Sequence, residues 1–197
     1  MKDYLRIQPP LDDTVVSRLK AGDRVLISGT IYTARDSAHQ RLIQTIVNNE
    51  EMPLSLKGQI IYYVGPCPAK PGQVIGSAGP TTSGRVDVYT PLLLDKGLKG
   101  MIGKGNRSQE VVSSIQRNKA VYFAATGGIG ALLAKTIKSA QVIAYEDLGP
   151  EAIYCLEVED FPVIVAIDCR GNNLYEEGKR KYKNFMVTCK EEFKCKE

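Results

Sequence analysis

Three cations stand apart from any charge run. Arg35, Arg85 and Lys104 each lie close to Gly or Thr in short polar stretches. Brought together, they would suit a small dicarboxylate, because an arginine grips a carboxylate through two N–H groups at once. The stretch Gly79-Pro80-Thr81-Thr82-Ser83-Gly84-Arg85-Val86-Asp87 adds hydroxyls and backbone N–H groups beside one of these cations. Its Gly and Pro content keeps it out of a helix or strand interior. An ordinary connecting turn has the same composition, and the loop alone does not choose between the two readings.

The elements around these residues follow from periodicity. Asp23–Gly29 reads as a strand feeding a helix whose apolar positions Ala38, Leu42, Ile43, Ile46 and Val47 have helical spacing. Thr33 is the expected N-cap, with Asp36 three residues on, close to a capping box. Arg35 and His39 are four apart and share a face near the helix start, where unsatisfied N–H groups attract anions. Ile60–Val64 and Ala120–Ala125 read as strands, and Val74-Ile75 as a short one. Thr90-Pro91 opens a short helix, with Thr90 as its cap. Residues 108–118 form another, capped by Ser108 with Val111, Val112 and Ile115 on one face. Thr126-Gly127-Gly128-Ile129-Gly130 is a turn into a helix carrying Leu132, Leu133 and Ile137. It is either a weak anion-binding junction or close packing of helix on strand. Strands are expected at Ala140–Tyr145, Ala152–Val158 and Val163–Ile167, then a turn at 168–173 and a last helix. Lys99–Gly105 is not a P-loop, since Leu98 stands where Gly is needed and Gly105 where Ser or Thr is needed.

Composition excludes several classes. The 197 residues carry a net charge of +4 and a single histidine, His39. Zinc or iron sites built on several histidines are therefore excluded. The five cysteines, Cys67, Cys155, Cys169, Cys189 and Cys195, form no C-x-x-C and no even framework, which argues for reduced thiols. No stretch approaches the ~20 apolar residues of a membrane span, and the N-terminus lacks an apolar leader. A cytoplasmic location is expected, in which the Asn106-Arg107-Ser108 triplet has no role as a glycosylation site. The expected architecture is one mixed α/β domain over 1–197, with 1–20 a peripheral lead-in and 178–197 a basic C-terminal helix or tail.

The longer blocks carry a resemblance. Ser28–His39, Gly79–Asp87 and Gly100–Gly105 resemble signatures of the iron–sulfur hydro-lyases, class I fumarase and L-tartrate dehydratase. Asp147–Ile153 and Val158–Pro162 fit the same pattern, in order, so that the likeness runs from about residue 23 to about residue 175. The length fits the β subunit, which is equivalent to the C-terminal domain of the single-chain enzymes. The resemblance implies a swivelling β/β/α fold and reversible hydration of fumarate to L-malate. It assigns a [4Fe–4S] cluster to a partner α subunit and no metal ligand to this chain, whose activity alone is then nil. It also implies that Thr81 abstracts the proton and that Arg35, Arg85 and Lys104 bind the substrate carboxylates. Asp36, His39, Thr82 and Asp87 fall in the same blocks as supporting residues. L-Tartrate dehydratase is the nearest rival, because the motifs do not report the C2 and C3 substituents. A binding module using the basic C-terminus is a remote alternative. That run has few interleaved aromatics beyond Tyr182 and Phe185, so neither a nucleic acid nor a membrane partner is expected.

Overall fold

Strands at the centre of this chain are apolar at every position rather than at alternate ones, as strands covered on both faces must be. In the computed structural model, which describes residues 4–183, β3 (Ile60–Tyr62) is buried at all three positions. Ile60, Tyr62 and Val64 join one hydrophobic core, while Ile61 and Tyr63 join a second on the other face. β4 (Gly100–Gly103) and β5 (Val121–Ala124) divide in the same way. Ile102, Val121 and Phe123 face the first core, and Met101 and Tyr122 the second.

The sheet is mixed. β1 (Leu5–Ile7), β2 (Arg24–Thr33), β3, β4 and β5 pair in parallel in that order. β7 (Ile153–Ile167) then pairs antiparallel with β5, with β2 and with β6 (Ile137–Ala144). Because β7 contacts both β5 and β2, the strands β2, β3, β4, β5 and β7 close into a ring around the first core. The helices α2 (Asp36–Val47), α3 (Thr90–Asp95) and α4 (Gln109–Arg117) cover the second core with Ala38, Leu42, Leu93, Leu94, Val111, Val112 and Ile115. The mixed α/β fold, one sheet with helices, is the expected one.

Several elements differ from expectation. The lead-in is less peripheral than its sequence suggests. β1 is an edge strand, and α1 (Asp13–Arg18) follows it, but Ile7, Leu11, Val16 and Leu19 are all buried in the first core. Val74-Ile75 forms no strand. α5 is only Gly130–Ala134, and Ile137 opens β6 instead of continuing that helix. The two strands expected at 152–158 and 163–167 are one. The break between them is a bulge at which Asp160 takes a φ of 51° and its N–H donates to Ser28 Oγ (3.0 Å). Pro162, which lacks a donor, sits where the free edge of β7 passes from β6 to β5. The last helix runs over 174–183, and the rest of the basic segment expected over 178–197 lies outside the described residues, as do Cys189 and Cys195. No helix among the described residues is long and apolar enough to cross a membrane.

Candidate active site

Parallel strands all end at the same edge, and the loops that follow them meet there. β2 delivers Arg35, β3 delivers Tyr63 and the loop through Thr81 and Arg85, and β4 delivers Lys104. The loops after β3 and β4 are tied by main-chain bonds. Lys104 N–H donates to the Thr81 carbonyl (3.2 Å) and Ser83 N–H donates to the Lys104 carbonyl (3.0 Å). Thr82 pairs with Lys104 as an isolated parallel bridge, so Thr82 acts through its backbone. Thr81 is anchored twice on one acceptor: both its N–H (2.8 Å) and its hydroxyl (2.9 Å) donate to the Tyr63 carbonyl. A Cβ at Gly103 would come within 2.0 Å of Ser83 Oγ, so only glycine lets β4 run this close to the loop.

Arg35 stands at the start of α2, at 22% side-chain exposure. Its Nη2 lies 3.4 Å from Glu151 Oε1 and 3.6 Å from Asp36 Oδ2. The other Glu151 oxygen accepts the Ser37 N–H (3.1 Å). Burial pushes the Glu151 carboxyl up, but the Ser37 bonds and the charges of Arg35 and Arg85 outweigh it and hold the group below its ordinary range. Glu151 thus stands in the field of both arginines. Arg85 itself is exposed and forms no ion pair among the described residues, and Lys104 is likewise exposed. Thr33 is not the cap of α2. It ends β2, where its hydroxyl donates to the Ala152 carbonyl (3.3 Å) and accepts the Tyr154 N–H (3.0 Å). Thr90 is not a cap either: it is the first residue of α3 and donates to the Val86 carbonyl (2.9 Å).

His39 is buried one turn below Arg35. Its Nδ1 is 2.7 Å from the Arg35 carbonyl, an acceptor, so Nδ1 carries the hydrogen of a neutral ring. The ring meets Tyr63 edge-on at 5.2 Å. Desolvation pushes its pKa down from 6.5 to about 4, against the bond to Arg35. The folded state therefore resists a proton that the unfolded chain accepts, and stability falls as pH drops from about 6.5 toward 4. Wild type is expected to lose about 2 kcal/mol more than His39→Gln between about pH 7.5 and about pH 4.5. Urea unfolding of both proteins at the two pH values checks this, and equal losses would show that His39 is not the group responsible.

Two residues absent from the sequence-based candidates prove central. Glu151, inside the block 147–153, holds Arg35. Arg107, inside the Asn106-Arg107-Ser108 triplet, is fully buried and donates through Nε to Asp87 Oδ1 (2.6 Å). Asp87 is thereby committed to fixing its loop. The glycine turn after β5 resolves as packing: a Cβ at Gly130 would sit 2.8 Å from Gly79 N, and the Gly130 carbonyl accepts the Ala78 N–H (3.1 Å). Among the described residues no three His, Cys, Asp or Glu side chains gather as metal ligands, and Cys67, Cys155 and Cys169 are separate free thiols.

The sequence that builds this sheet and edge is similar to those of known proteins. The chain belongs to the family described as Fumarase C-terminus, which it matches over residues 4–178. It is 41% identical to the "Putative L(+)-tartrate dehydratase subunit beta" of Methanocaldococcus jannaschii, over 84% of this chain and 88% of that protein. It is 40% identical to "Fumarate hydratase class I, anaerobic" of Escherichia coli over 82% of this chain, and 39% identical to "Fumarate hydratase 2" of Leishmania major over 81%. The chain spans only 30% and 28% of the length of those two hydratases.

Proposed function

We propose that this chain is the β subunit of an iron–sulfur hydro-lyase with fumarase activity, the reversible hydration of fumarate to L-malate. One observation carries the reading: the main-chain ties between Thr81, Ser83 and Lys104 set a hydroxyl and a lysine from two loops on one open edge. Arg85 lies in the same loop as Thr81, and Arg35 opens α2 beside Glu151, whose carboxyl also feels the charge of Arg85. In the dehydrating direction Thr81 Oγ, having released its own proton to water at the exposed edge, takes a proton from the carbon next to a carboxylate. Negative charge then builds on that carboxylate, and Arg35, Arg85 and Lys104 stabilise it. A threonine hydroxyl is a poor base alone, and the neighbouring cations favour its ionised form. The departing hydroxyl is left to the opposite wall, which a partner α subunit supplies together with the [4Fe–4S] cluster. The much greater length of the fumarate hydratase relatives supports such a second part.

The near-complete overlap with a protein named as a tartrate dehydratase β subunit favours a second reading, dehydration of L-tartrate to oxaloacetate. Co-expression with a candidate α subunit, anaerobic reconstitution and assays on fumarate, malate and tartrate decide between them. The complex is expected to interconvert fumarate and malate, and the chain alone to do neither. Turnover by the chain alone would sink the two-wall reading, and turnover of tartrate only would select the second.

A further inference from the structure

Beneath the open edge lies a guanidinium with no access to solvent. The Arg107 side chain is 0% exposed, and Asp87, its ion-pair partner, is 12% exposed. Asp87 accepts Arg107 Nε on one oxygen (2.6 Å) and Ser108 N–H on the other (2.6 Å). Arg107 Nη2 donates to Thr90 Oγ1 (2.7 Å), and Nη1 lies 3.6 Å from Met101 Sδ. The guanidinium sits 5.4 Å from the centre of the Tyr63 ring and 4.9 Å from that of Tyr122.

We propose that Arg107 is a positioning residue that sets the places of Thr81, Arg85 and Lys104 relative to one another. The proposal rests on the functional reading above. Three routes lead from it to the three site residues. Asp87 and the Thr90–Val86 bond fix the end of the short 3-10 turn Ser83–Val86, which contains Arg85. Tyr63, under the guanidinium, supplies the carbonyl on which Thr81 is anchored twice. Tyr122, on the other side, donates its hydroxyl to the Gly105 carbonyl (2.9 Å), next to Lys104, and accepts from Ser83 Oγ (2.8 Å). A buried ion pair is a weak source of stability, since apolar groups of equal volume often serve as well. What arginine adds is a rigid planar fork of donors, which here joins segments that each lead to one site residue. Lysine keeps the charge and lacks the fork.

The test compares wild type, Arg107→Lys and Tyr122→Phe by amide hydrogen exchange of the full chain, and by kinetics of the reconstituted complex. In Arg107→Lys, exchange at the Thr81, Ser83 and Lys104 amides is expected to rise at least about tenfold, with the β2–β7 amides unchanged. The turnover number is expected to fall about thirtyfold and KM to stay within about fivefold, because misplacement costs more in the transition state than in binding. Wild-type exchange at those three amides, a rise shared equally by the whole sheet, or unchanged turnover overturns the proposal. Should Arg107→Lys fail to fold, Tyr122→Phe decides. It leaves the ring on the guanidinium and removes only the hydroxyl link, so faster exchange confined to Ser83 and Lys104 supports the proposal and wild-type exchange overturns it. A complex that turns over no hydroxy-dicarboxylate defeats the functional reading alone, and the exchange data then judge Arg107 by themselves.

Discussion

Thr81→Val is expected to lower the turnover number of the reconstituted complex by about a thousandfold, with KM within a few-fold of wild type. Valine matches threonine in shape and removes only the hydroxyl. The Thr81 N–H keeps its bond to the Tyr63 carbonyl, so the loop retains one of its two anchors. Positioned proton transfer contributes roughly a hundredfold to ten-thousandfold in rate, and that is the contribution this substitution removes. Steady-state kinetics with malate, together with a thermal unfolding curve for the free chain, check the expectation. A variant within tenfold of wild type would take Thr81 out of the proton transfer.

Arg85→Ala and Arg35→Ala should each reduce kcat/KM by about a thousandfold, because each removes a charge aimed at a carboxylate on which negative charge grows. Their structural costs differ. Arg85 is exposed and unpaired among the described residues, so its truncation disturbs no packing. Arg35 packs beside Gly65 and pairs with Glu151 and Asp36, so its loss leaves two carboxylates at the start of α2 without their cation. A helix start tolerates negative charge, and Glu151 keeps the Ser37 N–H, so the fold should hold. Circular dichroism and kinetics on both variants provide the check. Near-normal turnover in either variant with an intact fold would remove that arginine from the site.

Legibility in the sequence followed locality. α4 was readable because its cap and apolar face lie within ten residues: Ser108 accepts the Val111 N–H (3.3 Å), and Val111, Val112 and Ile115 are buried. The second half of β2 was not, because Thr30–Tyr32 are held in the sheet by Cys155–Glu157, far along the chain. Their polar composition suggested a cap where pairing extends a strand. β7 was split in reading because Asp160 and Pro162 are strand breakers on local grounds, and only the bulge opposite Ser28 accommodates them. The site divided in the same way. Thr81, Arg35, Arg85 and Lys104 stood out by chemistry and by family resemblance. Arg107 sits in the Asn106-Arg107-Ser108 triplet, which the sequence offers only as a glycosylation match without a role. Its burial depends on Tyr63, Asp87 and Tyr122, which only the fold brings together.

The long final strand has a consequence for how the molecule is made. Arg24 pairs with Ile164 and Tyr32 with Cys155, β5 takes its second partner in β7, and β6 takes its only partner among the described residues there. Until residues 153–167 have been synthesised, β2 and β5 cannot be joined into a ring and the first core stays open on one side. Contacts so distant along the chain make closure late and slow relative to helix formation. Glu151, which pairs with Arg35, lies two residues before that strand. The edge that carries Arg35 and the closed sheet should therefore mature together, late in synthesis.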